Sequence, residues 1–412
     1  MRKLRVGIDS RQFSNWGGGI DFIATIAEAL ESTGKVCTFL VVEEDSNFGK
    51  LWKCARIMLR NGFNIKKYRL QQSLEFRGPE NLIEGFKSCS PGTKTITFKK
   101  TENRLINNRE KKQLKCLMKN KIDILLPSMN CESNDFAIPR IGYIYDFQHK
   151  YLPELFSEEE CLGRDEHFRN QLKNSKYLIV NAKDVKKDIE KYYPDEKCEI
   201  VVLPFKPFQK PEMKSHPDLR KYNLPKKYYA VCNQFWMHKS HITVFEALEH
   251  LYKSGTKDVH VVCTGSLADG RNPQYIDQLK QKISLLECKE NIHLLGFIPK
   301  DDQIAIMKKS SGLIQPTLFE GGPGGGSTYN ALCLGLTCLL SDIPVNKEVV
   351  GYDNVYFFEK KNSLELAKLM SEHINDKAID EEIVNKKNES NRKEYGEYLL
   401  AKLEHIIKEE RR

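Results

Sequence analysis

The residues best suited to chemistry lie between Leu313 and Pro344, in LIQPTLFEGGPGGGSTYNALCLGLTCLLSDIP. A strand-like run ends near Thr317, Glu320 follows, and every position from Gly321 to Gly326 is Gly or Pro before a helical pattern begins at Ser327. Such a loop exposes main-chain N–H groups at the start of a helix, where the aligned peptide dipoles favour an anion. Glycines let a phosphate or a sugar approach the backbone closely. Gly322, Pro323, Gly324, Gly325, Gly326 and Ser327 are therefore the candidates for holding a phosphate-bearing ligand. No Gly-Lys-Ser/Thr follows, so this is not a Walker loop, and the Gly-x-Gly-x-x-Gly of a first-strand dinucleotide turn is absent.

A second cluster, VCNQFWMHKSH from Val231 to His241, sits after a strand pattern and at the head of a helical one. Lys239 would place a cation there, although taken alone it reads as a surface lysine. His238 and His241 flank it at a spacing of three, which suits a metal pair, but no third ligand accompanies them and they are taken as polar groups at a helix start. In the first half of the chain, WGGGIDFIATIAEAL from Trp16 puts glycines between the opening strand and an amphipathic helix, and IGYIYDFQHKYLPELFS from Ile141 puts Asp146 and His149 after another strand.

These segments are spaced by an alternation of short aliphatic runs and longer amphipathic ones, the pattern of parallel sheets with crossover helices. The strand candidates are LRVGID, CTFLVV, IDILLPS, IGYIYD, KYLIVNA and CEIVVLPF, then, after a polar stretch from Lys206 to Lys227, YYAVCNQ, VHVVCTGS, IHLLGFI, GLIQPT and TCLLSDI. Two α/β domains joined near Pro207 follow. The last segment, from about Glu389 to Arg412, reads as one charged helix with Tyr395, Leu399, Leu400, Leu403 and Ile406 on a stripe. With no strand after it, that helix must dock on an existing surface.

Composition excludes several classes. The 412 residues carry 65 Lys plus Arg against 56 Asp plus Glu, a net charge of +9, with 29% charged residues and a mean hydropathy of −0.52. That is an ordinary globular balance, and no apolar run approaches the ~18 residues of a spanning helix. The N-terminus reaches Asp9 too soon for a secretory signal, and the twelve cysteines, with no Cys-x-x-Cys pair, suit free thiols in a reducing compartment. A cytoplasmic location is expected. The mild positive surplus comes with no zinc-finger spacing, no aromatic RNA-binding strand and no basic coiled coil, so no nucleic-acid partner is expected. Two stretches combine basic and apolar residues, one from Leu51 with Trp52, Ile57 and Phe63 and one from Asn103 to Lys121. They would suit peripheral contact with an anionic membrane at the inner face of the cell, or surface helices packing an apolar stripe on the sheet.

Phe319, Glu320 and Gly321, followed by Ala331, Gly335, Ser341, Asp342 and Pro344, resemble the signature of glycosyltransferase family 4. The resemblance implies the GT-B architecture: two Rossmann-like domains facing a cleft, here residues 1–206 for the acceptor and 207–385 for the nucleotide sugar, with a helix over 386–412 crossing back to the first domain. It implies that Glu320 holds hydroxyls of the donor sugar, that the turn from Gly322 to Ser327 meets sugar and diphosphate, and that Lys239 neutralises the diphosphate. Gln234 stands where the family commonly has an arginine. The family's second glutamate falls on Asn330, whose amide can hydrogen-bond ribose hydroxyls, with Thr328 as the competing candidate. Gly18 and Gly19 would approach the donor phosphate from the first domain. Asp146 with His149, in a DFQH run, would orient acceptor or sugar.

The activity so implied is transfer of a hexose-type sugar, with retention, from a nucleotide diphosphate donor to a glycan or lipid-linked acceptor in cell-surface polysaccharide or glycoconjugate synthesis. No Asp-x-Asp occurs in the chain, so no metal and no cofactor beyond the donor are expected. A nucleotide-sugar epimerase or a phosphorylase of the same fold, and a catalytically silent nucleotide-sugar-binding module, are the alternatives.

Overall fold

A computed structural model of the protein describes residues 2–13, 17–44, 83, 86–87, 90–99, 106–133, 135–208 and 217–412. The strands of the first half are β1 (Leu4–Asp9), β2 (Val36–Glu44), β3 (Lys94–Lys99), β4 (Ile124–Ser128), β5 (Arg140–Tyr143), β6 (Tyr177–Val180) and β7 (Glu199–Val202). They form one parallel sheet in the order β3-β2-β1-β4-β5-β6-β7. Helices α1 (Gly17–Ser32), α2 (Ile106–Lys119), α3 (Gln148–Tyr151), α4 (Glu158–Lys173) and α5 (Lys183–Tyr192) connect them. The central strands are buried along their whole length, as in ILLPS of β4 and YLIV of β6. Apolar residues on both faces are what a sheet covered on both sides requires.

The second sheet comprises β8 (Tyr228–Cys232), β9 (His260–Thr264), β10 (Ile292–Gly296), β11 (Gly312–Gln315), β12 (Cys338–Ser341) and β13 (Val355–Phe358), in the order β10-β9-β8-β11-β12-β13 and again parallel. Its helices are α6 (His241–Lys253), α7 (Tyr275–Ser284), α8 (Lys300–Lys309), α9 (Gly325–Cys333) and α10 (Ser363–His373). Every strand candidate found in the sequence holds a strand. The two strands without a candidate, β3 and β13, each lie at one edge of their sheet. An edge strand buries one flank only, and KTITFK of β3 accordingly alternates Ile96 and Phe98 with threonines between two terminal lysines instead of forming an apolar run.

The long helix α11 (Glu381–Glu410) starts earlier than the stripe suggested, where Asp380 accepts hydrogen bonds from the Glu382 and Ile383 amides. It leaves the second domain, where Asn388 donates to the Cys333 carbonyl at 3.1 Å, and crosses α1 of the first. Tyr395, Leu399, Leu400, Leu403 and Ile406 are buried in the first domain's core beside Ile23, Ala27 and Leu30. At the crossing, a Cβ on Gly396 would stand 2.2 Å from the Ala29 carbonyl oxygen, so only glycine permits so close an approach of the two backbones. Asn391 also donates to the carbonyl of Pro207, tying down the chain between the sheets at 2.6 Å.

The apolar stripe of α2, Leu114 and Leu117, packs on Phe39, Val41 and Phe98 of the sheet. That part of the Asn103–Lys121 stretch is a surface helix with its lysines outward. The stretch from Leu51, with Trp52, Ile57 and Phe63, lies outside the described residues, as does Trp16.

Candidate active site

In the second sheet, β8 and β11 are neighbours whose onward connections run to opposite sides, through β9 and through β12. A crevice opens beyond the carboxyl ends of two such strands, and ligands of open α/β sheets bind there. The loops leaving these two strands carry Lys239 and Glu320. Leu318 N–H donates to the His238 carbonyl at 2.8 Å, which joins the two loops, and the Lys239 ammonium is hydrogen-bonded to the Glu320 carboxylate. Both side chains are 12% exposed.

Behind this pair stands a relay that the sequence motifs did not single out. Asn233 donates to the Gln315 side-chain carbonyl, and the Gln315 amide donates to Glu320 Oε1 at 3.1 Å and to the Gly324 carbonyl at 3.1 Å. Gln315 closes β11 and is 1% exposed. A polar side chain ending an otherwise aliphatic run, GLIQ, is the signal that would have found it. The relay fixes the Glu320 carboxylate and the turn relative to each other.

Gly324 and Gly325 have φ of +63° and +67°, and α9 begins at Gly325, ahead of the Ser327 expected. The Gly324 amide is already taken by Asn346 Oδ1 at 3.0 Å. Gly326 is exposed and Ser327 half-buried in the first turn of α9, where a helix leaves its amides without intrahelical acceptors. Pro323 is buried and has no N–H, so its part is to shape the turn. Thr328 is fully buried with its hydroxyl unpartnered, whereas Asn330 is half-buried on α9. Asn330, and not Thr328, can therefore reach a ligand.

Gln234 Oε1 accepts from the Ser266 amide at 2.8 Å, which ties its side chain to the loop after β9. His238 and His241 are both buried. Burial, reinforced by Lys239 and Arg271, pushes His238 down to about 2, and burial beside Lys239 pushes His241 down to about 3, so both rings are neutral. His241 stacks on Phe235 with ring centroids 4.0 Å apart, and neither of its nitrogens has a hydrogen-bond partner.

The first domain meets this turn directly. A Cβ on Gly321 would lie 2.4 Å from the Tyr145 carbonyl oxygen, Gly322 faces Asn181, and the Phe319 ring lies 5.5 Å from that of Tyr151. Asp146 is therefore at the crevice, its Oδ1 accepting from Arg164 Nη2 at 2.6 Å and from the Gln148 amide at 3.0 Å. His149 is placed differently from the orienting contact expected of it. Its side chain is 0% exposed, Nδ1 accepts from Arg164 Nε at 3.2 Å, and Nε2 is 2.8 Å from Asp165 Oδ1. Burial first, with Arg164 beside it, holds its pKa below the ordinary imidazole value. The ring braces Arg164, which in turn holds Asp146. Gly18 and Gly19 fall in the first turn of α1, where Asp21 reaches across to Lys300 of α8 at 2.9 Å. Among the described residues no group of three or more His, Cys, Asp or Glu side chains is arranged to hold a metal ion.

Residues 215–393 match the family described as Glycosyl transferases group 1. No curated protein matches the chain by sequence. Solved structures share the whole two-domain fold. HepE of Anabaena, solved with UDP and glucose, is 12% identical over 98% of each chain with a TM-score of 0.58. Sucrose-phosphate synthase of Thermosynechococcus elongatus is 11% identical over 99% of this chain and 97% of its own, with a TM-score of 0.55. The trehalose 6-phosphate synthase of Burkholderia multivorans is 11% identical over 98% and 99%, with a TM-score of 0.56. The fold is the GT-B architecture, and Lys239, Glu320 and the glycine turn lie within the matched residues 215–393.

Proposed function

We propose that this protein is a retaining glycosyltransferase that moves a hexose-type sugar from a nucleotide diphosphate to a glycan or lipid-linked acceptor, in cell-surface polysaccharide or glycoconjugate synthesis at the cytoplasmic side of the membrane. The observation that carries the reading is the pairing of Lys239 with Glu320 at the switch point of the second sheet, against the Tyr145–Asp146 loop of the first. A cation, open helix-start amides and a carboxylate at one crevice match the three parts of a sugar nucleotide's reacting end. The nucleotide and glucose bound in HepE support a donor of this kind.

In this reading Lys239 and the Gly326 and Ser327 amides stabilise the leaving diphosphate, whose charge develops as the bond from the anomeric carbon to its oxygen breaks. Glu320 holds donor hydroxyls and Asn330 the ribose. The acceptor oxygen attacks from the face that the diphosphate leaves, and its proton passes to the departing phosphate oxygen, so no carboxylate nucleophile is needed. Asp146, braced by Arg164 and His149, orients the acceptor or the sugar. Neutralisation is assigned to protein groups and not to a metal. The exposed lysines Lys111, Lys112, Lys115 and Lys119 of α2 would face anionic headgroups.

The test is a thermal-shift screen with GDP, UDP, ADP and their sugars, followed by transfer assays with the sugar nucleotide that binds. At least one should raise the melting temperature in a concentration-dependent way, because a ligand of the folded state alone stabilises it. No shift and no turnover with any of them would refute the donor site.

A further inference from the structure

Arg271, on the loop after β9, is a cation whose side-chain contacts among the described residues are all neutral. Its guanidinium is half-buried between the two domains, where Nη1 donates to the Gln148 side-chain carbonyl at 3.0 Å and Nη2 lies 3.4 Å from His238 Nδ1. Its central carbon sits 4.9 Å from the centre of the Phe156 ring and 5.5 Å from that of Trp236. Asp269, the carboxylate closest in sequence, accepts instead from the backbone amides of Met237 and of Arg271 itself. Among the described residues the Arg271 side chain forms no ion pair. Arg11, Arg109, Arg140 and Arg164 show the contrast, each facing a carboxylate.

A charge drawn out of water without a counterion is costly, and neutral acceptors and ring faces return part of that cost only. The arrangement therefore favours an anion. Its position says which one. Arg271 touches the side chain of His238, Lys239 is the next residue, and the His238 carbonyl is bonded to the loop that carries Glu320. Arg271 and Lys239 thus both lie near His238, whose charge each of them disfavours. Gln234, whose side chain is occupied by the Ser266 amide, contributes no charge there.

We propose that Arg271 is the second cation of the donor diphosphate site, and that a bound diphosphate draws its guanidinium from Gln148 onto a phosphate oxygen. The inference rests on the donor site described under Proposed function. A planar guanidinium also suits a phosphate geometrically, since it can present two parallel N–H donors.

The experiment is calorimetric titration of wild type, Arg271→Gln, Arg271→Lys and Gln148→Ala with UDP, GDP and ADP and with the corresponding monophosphates, each variant first checked for a cooperative thermal melt. Arg271→Gln should weaken the preferred diphosphate by about tenfold or more and its monophosphate by much less, because the extra charge of the diphosphate is what a second cation answers. Arg271→Lys should restore part of the loss, and Gln148→Ala should leave both affinities near wild type. Unchanged diphosphate affinity in Arg271→Gln overturns the inference and leaves the donor site standing. Equal weakening of diphosphate and monophosphate also overturns it, and marks Arg271 as an interdomain strut. A wild-type protein that binds none of the three diphosphates overturns the donor site itself and this inference with it.

Discussion

Lys239 and Glu320 are held almost out of water and satisfy each other at the mouth of the glycine turn. Replacing Lys239 or Glu320 by alanine should reduce turnover by roughly 10²–10³-fold, the usual cost of one charge-stabilising group. The protein should stay folded, because Gln315 still anchors the turn through the Gly324 carbonyl. Initial rates alongside a thermal melt check both halves of that expectation, and wild-type turnover in either variant would remove the residue from the mechanism. His241 makes a different prediction. Its pKa falls to about 3 in the fold and His238's to about 2, both from an unfolded value near 6.5. Between those limits the unfolded chain takes up protons that the folded one refuses. Stability is therefore full above pH 6.5 and is lost as pH falls below it, by up to about 1.4 kcal/mol per pH unit for each ring. His241→Phe keeps the stack on Phe235 and removes two unpartnered nitrogens. Its melting temperature at pH 5 should exceed that of wild type, with a shallower acid slope, and an unchanged slope would assign the titration elsewhere.

Among the elements, the crossing of α11 over α1 has the least tolerance. Gly396→Ala puts a methyl group where the Ala29 carbonyl oxygen already stands, so the two helices must separate. A loss of about 1–3 kcal/mol in urea denaturation is expected, the usual range for overpacking, and full stability would show that the crossing yields easily. The elements were largely legible in the sequence because parallel strands buried on both faces read as unbroken aliphatic runs, as the ILL of β4 and the YLIV of β6 do. The exceptions are edge strands: β3 interrupts its apolar residues with threonines, and β13, VYFF, is only four residues long. The site was half legible. Glycine runs and a charged residue after a strand announce themselves by type, so Lys239, Glu320 and the turn could be named. The burial of His149, the diversion of Gln234 to the Ser266 amide and the solitary guanidinium of Arg271 are outcomes of packing between distant loops, and no local spacing encodes them.

Taken whole, the molecule is two sheets held together by specific contacts near the crevice. Ile343 and Val345 of the second domain pack into the first domain's cluster of Phe147, Val180 and Val185. Glu348 reaches across as well, its carboxylate accepting from the amides of Lys183 and Asp184 at 2.9 and 2.8 Å and so capping α5 from the other domain. Glu348→Ala should cost about 1 kcal/mol in denaturant titration, the typical worth of a helix cap. Donor affinity should stay near wild type, since Lys239, Glu320 and Asn330 all belong to the second domain, while turnover falls because the Asp146 loop is positioned less firmly. Equal losses in affinity and turnover would mean that the cap also shapes the donor site.

The placement of α11 also sets an order of assembly. The side chains that close the core of the first sheet, from Tyr395 to Ile407, are synthesised only after the whole second domain, although the rest of that sheet is made before it. The hydrophobic groove along α1 must therefore wait, uncovered, while the entire second domain emerges from the ribosome. A nascent chain halted just before Glu381 should retain a chaperone or a hydrophobic dye at that groove and release it once α11 is added.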